Sequence, residues 1–167
     1  MRRVLVMLAL AGLLSGCFGS DRPMFPATSA VRALGEGGRY ATFEVTDGKE
    51  KSSDPLVVRP RDDGGYDFVN EKGASNPVTF HPIAGGLHVA QVKLEGDQGY
   101  GYVVTRIVAN GMTVIPAECD RQDGKTIDAL GVVRRNQYEC RIDNVADPAA
   151  FFAGLTFSPP VSRMVRE

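Results

Sequence analysis

The clearest fold signal in this chain is the segment Tyr100-Gly-Tyr-Val-Val-Thr-Arg-Ile-Val-Ala-Asn-Gly-Met-Thr-Val-Ile-Pro-Ala-Glu-Cys119. Two runs rich in β-branched and aromatic residues flank Asn110-Gly111, and an Asn-Gly pair tolerates the positive φ angles of a two-residue type I′ turn. The segment therefore predicts a β-hairpin that turns at Asn110-Gly111. Counting outward from that turn places Tyr102 opposite Cys119.

Turn signals built on glycine recur on the N-terminal side of this hairpin. Runs rich in Val, Ile, Thr, Tyr and Phe separate them, which is the pattern of short antiparallel strands joined by tight turns. The predicted strands are 39–46, 56–59, 66–71, 78–83, 87–94, 100–110 and 112–119. Seven such strands in succession usually curl into a barrel or a sandwich. The predicted fold class is therefore mainly β, with an antiparallel meander that forms a small barrel or sandwich.

The C-terminal third departs from this pattern. Residues 126–133 fit either a short helix broken at Gly131 or an irregular crossover, and 136–142 predicts a further strand. Asp147-Pro148 predicts the start of a short C-terminal helix, because Asp accepts hydrogen bonds at the N-cap and Pro fits the first helical position. The last residues, 158–167, are expected to form a frayed tail.

The N-terminal residues have the composition of a signal peptide. Arg2 and Arg3 are followed by an apolar run of eleven residues, Val4 to Leu14, and then by Ser15, Gly16 and Cys17. A helix needs about 20 apolar residues to cross the hydrocarbon core of a bilayer. The run is therefore too short for a permanent membrane span and indicates a cleaved signal.

Leu14-Ser15-Gly16-Cys17 resembles the lipobox of bacterial lipoproteins, in which Leu, a small residue and then Gly or Ala precede Cys. The resemblance covers the first 17 residues. It implies that signal peptidase II cuts before Cys17, and that Cys17 carries a thioether-linked diacylglycerol and an amide-linked acyl chain such as palmitate. Two or more acyl chains hold a protein stably on a membrane. Phe18 stands where an Asp would favour retention at the inner membrane, so the resemblance implies the outer membrane, with the protein facing the periplasm.

These patterns divide the chain into four regions: a signal peptide at 1–16, a lipidated Cys and tether at 17–37, one β-rich domain at 38–157 and a flexible tail at 158–167. Cleavage leaves 151 residues, which fit a single domain. They carry 17 basic and 20 acidic residues, so the composition does not favour nucleic acid as a partner. No later run reaches 18 consecutive apolar residues, and membrane contact is expected through Cys17.

The remaining two cysteines, Cys119 and Cys140, are predicted to form a disulfide. An even pair of cysteines in an exported domain is most simply a disulfide. A metal or redox pair lacks support because there is no Cys-x-x-Cys and no histidine close to either cysteine in sequence. The chain-entropy model predicts a stabilisation of about 3 kcal/mol for a loop of this length.

Candidate metal and catalytic residues are few. His81 and His88 flank Ala84-Gly85-Gly86, and the register of the predicted hairpin decides whether they share a face. A three-residue loop pairs Val78 with Val92 and gives a coherent apolar face; it puts the two histidines on opposite faces. A two-residue loop would put them on one face, without an obvious third ligand. We favour the first register and predict no metal site and no cofactor.

The acidic turns do not indicate a metal site, and the absence of catalytic motifs does not indicate an active site. Asp120 to Gly124 does not place oxygen ligands at the spacing of an EF-hand, and Asp62 to Gly65 is typical of a hairpin turn. The sequence has no nucleophile elbow, no His-Glu-x-x-His and no phosphate loop. The chain is therefore predicted not to be an enzyme, although a hydrolase with a dispersed site is kept as an alternative.

Tyr100 and Tyr102 alternate on one face of a predicted strand. This pattern fits cross-strand packing, but it also fits an exposed aromatic strip that binds a partner, because tyrosine is enriched at binding hot spots. The first functional hypothesis is a non-catalytic module of the cell envelope that binds a protein, a glycan or a lipid. The second is an inhibitor of an envelope or host hydrolase, a lysozyme or a protease, that inserts the loop Arg61 to Gly65 or Asp97 to Gly99 into the enzyme's cleft.

Overall fold

The computed structural model describes residues 18–136 and 139–167, and within them the chain folds into a β-barrel with a second layer packed on one wall. Two helices and eleven strands occur in this part of the chain. The helices are α1 (Gly124–Ala129) and α2 (Pro148–Ala153). The strands are β1 (Phe18–Ser20), β2 (Gly38–Thr46), β3 (Lys49–Pro60), β4 (Tyr66–Val69), β5 (Ser75–Ile83), β6 (Leu87–Lys93), β7 (Tyr100–Val108), β8 (Gly111–Ile115), β9 (Val133–Arg134), β10 (Cys140–Arg141) and β11 (Ser162–Arg166).

Eight antiparallel strands close the barrel in the order β2-β3-β4-β5-β6-β7-β8-β11. The meander from β2 to β8 follows the chain, and β11 closes the barrel by pairing with β8 on one side and with β2 on the other. The predicted fold class, a mainly β antiparallel meander with a short C-terminal helix, is therefore confirmed, and the architecture is a barrel. Closure satisfies the edges that an open sheet would leave unpaired.

The three remaining strands extend from one edge of β7. Along that edge β8 pairs with Val104–Val108, and β1 takes over at Tyr100–Tyr102. Next to β1 lies β10, which pairs with it in parallel, and β9 pairs with β10 as an antiparallel hairpin. The residue that begins β1, Phe18, thus lies inside a four-strand arrangement rather than at a free end.

The interior of the barrel is filled by side chains that alternate along the strands. Along β2 the partly exposed Ala41 separates the buried Tyr40 and Thr42, as expected for a strand with one buried face. We call this interior cluster the barrel core. Its buried members are Leu34, Tyr40, Leu56, Val58, Tyr66, Phe68, Val78, Phe80, Ala90, Val92, Val103, Met112, Val114 and Met164.

A second buried cluster, which we call the outer core, lies against the outer face of the wall formed by β6, β7 and β8. The strand β6 is buried on both faces: Ala90 and Val92 point into the barrel, whereas Leu87 and Val89 point into the outer core. The buried members of the outer core are Phe18, Phe25, Leu87, Val89, Tyr102, Val104, Ile115, Cys119, Ile127, Val132, Cys140, Ile142, Val145, Phe151, Phe152 and Leu155.

The structure differs from the predicted regions at both ends of the chain. The stretch 17–37 was expected to be a tether, but Phe18–Ser20 forms β1, and Phe25 and Leu34 are buried in the two cores. Leu34 also donates its backbone N–H to the Tyr66 hydroxyl at 3.0 Å, and that hydroxyl donates to the carbonyl of Gly35 at 2.9 Å. These contacts fix the N-terminal segment to the barrel.

The expectation of a frayed tail over 158–167 is also wrong, because Ser162–Arg166 forms β11. Ser162 and Met164 face the barrel interior, and Arg163 between them points outward. The pair Pro159-Pro160 suggested disorder, but the prolines lie before the strand, where they do not interrupt its hydrogen bonds.

The β7–β8 hairpin forms where the sequence predicted it, but its turn is shifted. Val108 pairs with Gly111, so the turn residues are Ala109 and Asn110 and the predicted type I′ turn at Asn110-Gly111 is wrong. Gly111 instead belongs to β8, with a φ of +154°, and a Cβ there would lie 1.9 Å from the Met164 carbonyl oxygen on β11. The pairing changes by two residues, so each side chain keeps its predicted face.

The two helices begin as their sequences suggest. The Asp147 carboxylate accepts the Ala150 backbone N–H at 3.0 Å at the start of α2, as predicted for Asp147-Pro148. Asp123 caps α1 in the same way by accepting the Thr126 N–H at 3.0 Å. Gly131 follows α1 with a φ of +82°, which breaks the helix and starts the crossover to β9. Each helix has six residues and depends on packing against the outer core.

Candidate functional site

The strand β1 is where most of the residues singled out in the sequence come together. Cys17, the predicted lipidation site, lies outside the described residues. The residue after it, Phe18, pairs with Tyr102 on one side and with Cys140 on the other, and Ser20 pairs with Tyr100. The predicted disulfide and both tyrosines therefore surround the strand that directly follows Cys17.

The disulfide between Cys119 and Cys140 is formed, as predicted. The two Cα atoms are 5.9 Å apart, and both residues are fully buried in the outer core. The bond links the short segment after β8 to β10, which pairs with β1. It therefore ties the second layer of the structure to the strand that begins the described chain.

Tyr102 does not form part of an exposed binding strip. It is buried in the outer core, its hydroxyl lies 2.6 Å from the Ser20 hydroxyl, and it accepts the Met24 backbone N–H at 3.0 Å. Burial raises the pKa of Tyr102 to about 12, so it remains a neutral phenol. Tyr100 is half-buried and packs against the same cluster. Of the two interpretations of this pair, the burial of Tyr102 fits packing and not an exposed strip, and the Tyr102 hydroxyl holds the N-terminal segment against β7.

Charged groups fix the far end of β1. The Arg141 guanidinium forms salt bridges with Asp21 and, at 3.1 Å, with Asp143, and the Asp21 backbone N–H donates to Asp143 Oδ1 at 2.6 Å. The Arg141 side chain is only 12% exposed. These contacts leave the segment after Ser20 little freedom to separate from β10.

The two histidines lie on opposite faces of the β5–β6 hairpin. The register pairs Val78 with Val92 and Phe80 with Ala90, as predicted, so His81 faces the outer core and His88 faces the barrel interior. His81 Nδ1 is 2.8 Å from the Ser29 hydroxyl, and Nε2 is 2.9 Å from the Thr79 hydroxyl. Burial lowers the pKa of His81 to about 4. The histidine is therefore neutral at pH 7 and holds the N-terminal segment.

His88 has a different environment. Its buried Nδ1 has no hydrogen-bond partner among the described residues, and burial lowers the pKa of His88. Because the barrel wall separates the two imidazoles, they do not form a joint site. Within the described residues, no group of three or more His, Cys, Asp or Glu side chains is placed to hold a metal ion.

The loop Arg61 to Gly65 is held rigidly. Arg61 forms salt bridges with Asp63 at 2.9 Å and with Asp67 at 3.1 Å, and the Arg61 N–H donates to the Gly65 carbonyl at 2.9 Å. The hydrogen bond from Arg61 lowers the pKa of Asp63. In the other candidate loop, Gly99 packs tightly against the Ser20 backbone, and Asp97 is exposed.

A surface that the sequence analysis did not single out lies on the β9–β10 hairpin and the turn before it. Leu130 and Val133 are 45% and 52% exposed, and Arg134 and Arg135 follow them in the chain. We call these four residues the hairpin patch. Its signal in the sequence is the run Leu130-Gly-Val-Val-Arg-Arg135, in which aliphatic and basic residues are adjacent without an acidic residue.

None of the helices in the described part of the chain has the length and apolar character needed to cross a lipid bilayer. Comparisons of the chain with models of protein families, with curated proteins and with solved structures found no significant match.

Proposed function

We propose that this chain is a lipid-anchored lipoprotein of the bacterial cell envelope, whose barrel is a non-catalytic binding or structural module. The observation that carries the proposal is the sequence Leu14-Ser15-Gly16-Cys17 at the end of a short apolar run, joined directly to a folded domain at Phe18. The lipidated Cys17 would hold the barrel on the membrane. Phe18 in place of Asp favours the outer membrane, with the barrel facing the periplasm.

The disulfide supports a location outside the cytoplasm. Structural disulfides persist in oxidising compartments such as the bacterial periplasm and are rare in the cytosol of most bacteria. Cys119 and Cys140 are fully buried in the outer core, which is typical of a structural bond rather than a reactive one.

The positions and hydrogen bonds of the buried polar side chains favour a binding or structural role over catalysis. His81 and Tyr102 are buried and hydrogen-bonded to the N-terminal segment, so their roles are structural. Catalysis by acid-base chemistry needs titratable groups that converge in a cleft. The two histidines of this chain are instead separated by the barrel wall. The ligand of the module is proposed to be a protein, a glycan or a lipid of the envelope.

Mass spectrometry of the full chain, made in a bacterial host that processes lipoproteins, tests the anchor. The expected intact mass corresponds to cleavage before Cys17 plus three acyl chains, and reduction should add the mass of two hydrogens. Cys17→Ser should abolish acylation and leave the disulfide intact. The matched control, Cys119→Ala with Cys140→Ala, should remain acylated. An unlipidated mass for the unmodified chain would refute the proposed anchor.

Inhibition of an envelope or host hydrolase is a second candidate function, and the rigidity of the loop Arg61 to Gly65 favours it. An inhibitory loop binds best when its conformation is fixed before binding, since less entropy is lost on association. Here two salt bridges from Arg61 and a backbone hydrogen bond fix the loop.

Activity assays of lysozymes and proteases with the purified protein at micromolar concentration test this function. Slowed hydrolysis that is lost in Asp62→Arg, an exposed position in the loop, would support it. Asp97→Arg, in the second candidate loop, is the matched control. If no hydrolase is slowed, this candidate is excluded while the proposed lipid anchor is unaffected.

A further inference from the structure

The strand β3 extends well past the neighbour that covers one of its two edges. It has twelve residues, Lys49–Pro60, and pairs with β2 along most of its length. On its other side β4 pairs with 57–60, and no described residue pairs there with 49–56. The first part of β3 therefore has a free edge, at the end of the barrel where β2 turns into β3.

The backbone groups of Glu50 and Ser52 point out of this free edge. In an antiparallel pair, residues that exchange hydrogen bonds alternate with residues whose N–H and C=O groups point away from the partner strand. Val45 is opposite Glu50, and its N–H donates to the Val161 carbonyl at 2.7 Å, on the β11 side of β2. Glu50 and Val45 therefore do not exchange hydrogen bonds, and by alternation Ser52 also points away from β2. Two N–H and two C=O groups are thus available to an added strand.

Contacts from the barrel hold the free edge in an extended conformation. The Arg163 guanidinium donates to both oxygens of the Glu50 carboxylate, at 2.5 and 2.6 Å, and lies 4.5 Å from the centre of the Phe43 ring. On the opposite face of β3 the Ser53 hydroxyl is 2.7 Å from the hydroxyl of the buried Thr42. A binding segment that is fixed before association loses less entropy when it binds. The free edge is therefore preorganised to accept a strand.

Lys49 and Lys51 determine the charge of the free edge. Side chains alternate along a strand, so the two lysines lie on the opposite face from Glu50, whose charge is balanced by Arg163. Both lysines are exposed, and neither forms a salt bridge with a described residue, including Glu44, which lies opposite Lys51 on β2. The free edge therefore presents two positive charges that carboxylates on an added strand would neutralise.

The same charges disfavour pairing of two copies of the chain through this edge. A symmetric antiparallel pair that uses the outward backbone groups has three registers, which place Lys49 opposite Lys51, Lys51 opposite Lys51, or Glu50 opposite Asp54. Like charges directly opposite each other destabilise a strand pair. Pro55, which has no N–H, and the bulge in β3 limit the length of an added strand. The free edge thus favours a partner strand of opposite charge over a second copy.

We propose that the free edge of β3 binds an extended, acidic peptide segment of a partner protein, which adds to the barrel as a further strand. The backbone of the segment bonds to Glu50 and Ser52, and carboxylates at alternate positions lie beside Lys49 and Lys51. This inference rests on the proposed role of the barrel as a binding module and specifies the binding surface and the partner. It does not depend on the lipid anchor.

The synthetic peptide acetyl-Thr-Glu-Val-Glu-Val-Glu-Thr-amide tests the proposal, because alternation places its carboxylates on one face of a strand. NMR measures hydrogen exchange at single amides of the processed full-length protein in detergent micelles. Without peptide, the amides of Glu50 and Ser52 should exchange much faster than those of Lys51 and Ser53. Peptide at ten times its dissociation constant should slow both by roughly tenfold. A control peptide with Lys in place of Glu should have no effect.

Substitutions of Ser52 separate backbone pairing from side-chain contacts. Ser52→Pro removes an N–H that β2 does not use and should abolish binding, whereas Ser52→Ala keeps that N–H and should bind like the parent protein. Lys49→Glu with Lys51→Glu should weaken binding by about tenfold. The matched control is Arg106→Glu with Lys125→Glu, two exposed positions elsewhere, which should bind normally.

Four results would overturn the proposal: no binding of the acidic peptide, equal binding of the basic peptide, binding that survives Ser52→Pro, or binding unaffected by the two lysine substitutions. If Ser52→Pro does not fold, the lysine variants and the basic peptide decide. Protection of the Glu50 amide that rises with protein concentration, without peptide, would show that a second copy occupies the edge and would also overturn it. Intact mass is measured in the same samples, and an unlipidated mass would refute the anchor alone.

Discussion

The barrel core and the outer core lie on opposite faces of the same wall, but they are built from different types of secondary structure. The barrel core is made by strands that pair on both sides, with one buried residue in two. The outer core combines one face of that wall with a three-residue strand, two six-residue helices and the loops between them. The barrel thus has a continuous hydrogen-bonded framework, whereas the outer layer depends on packing and on a disulfide.

This difference indicates how stability is distributed. Short helices are marginal without tertiary contacts, so the segments of the outer layer cannot hold their conformation once they separate from the wall. Aromatic rings and the disulfide between Cys119 and Cys140 keep them there. We therefore expect the outer layer to open before the barrel does.

The largest expected effect comes from removing a large ring from either core. Phe152→Ala and Phe80→Ala each delete a fully buried side chain and should lower the free energy of unfolding by about 3–5 kcal/mol. Phe152→Ala should expose amides of 119–157 to hydrogen exchange first, whereas Phe80→Ala should weaken protection throughout the barrel. Urea titration and hydrogen exchange measure the two effects. Equal loss of protection across the chain in Phe152→Ala would contradict the division into two layers.

Loss of the disulfide should affect the outer layer by a somewhat smaller amount. Cys119→Ala with Cys140→Ala removes the constraint on a loop with a sequence separation of 21 residues. The free energy of unfolding should fall by about 3 kcal/mol. Urea titration of this variant beside the oxidised and reduced parent protein checks the value, because the reduced parent should match the variant. Loss of the β2–β5 amide protection alone would count against the assignment of the disulfide to the outer layer.

The smallest effect is a dependence of stability on pH that arises from His81. Its pKa is about 4 in the folded protein and about 6.5 when unfolded, because burial against Phe25 disfavours the charged form. The unfolded chain therefore binds the proton more readily. The free energy of unfolding therefore has its full value above pH 6.5 and decreases as the pH falls from 6.5 towards 4. The decrease between pH 7 and pH 5 is about 2 kcal/mol.

Urea titrations at pH 7, 6 and 5 measure this dependence. His81→Gln should remove most of it, whereas the matched variant His88→Gln, on the barrel side of the wall, should retain it. A pH dependence that is the same in both variants would show that His81 is not its source.

The barrel core could be predicted because the sequence signals that mark its strands are local. Glycine turns and alternating apolar residues mark each strand, and even the pairing of Val78 with Val92 followed from the apolar face that it forms. The hairpin at Asn110-Gly111 was placed correctly, but its turn was not. Gly111 is held in β8 by β11, a strand that lies more than fifty residues away in the sequence and that no local pattern connects to it.

The outer core escaped prediction because its residues come from segments without a periodic pattern. Phe18 and Phe25 lie in a proline-containing stretch that resembled a tether, and nothing in their spacing indicates what they pack against. Tyr102 was correctly placed in a strand, but its burial depends on that distant N-terminal stretch. The disulfide could be predicted because the number of cysteines and the expected compartment determine it without reference to the fold.

The strand β11 has a consequence for how the chain folds. Tyr40 of β2 pairs with Arg166, more than 120 residues later in the chain, so the barrel cannot close until β11 has been synthesised. Until then β2 and β8 keep unpaired edges, which are sites of aggregation in incompletely folded β proteins. Such long-range closure makes folding slow. A deletion of residues 162–167 would therefore leave every other strand in place in the sequence and still produce a barrel that cannot close.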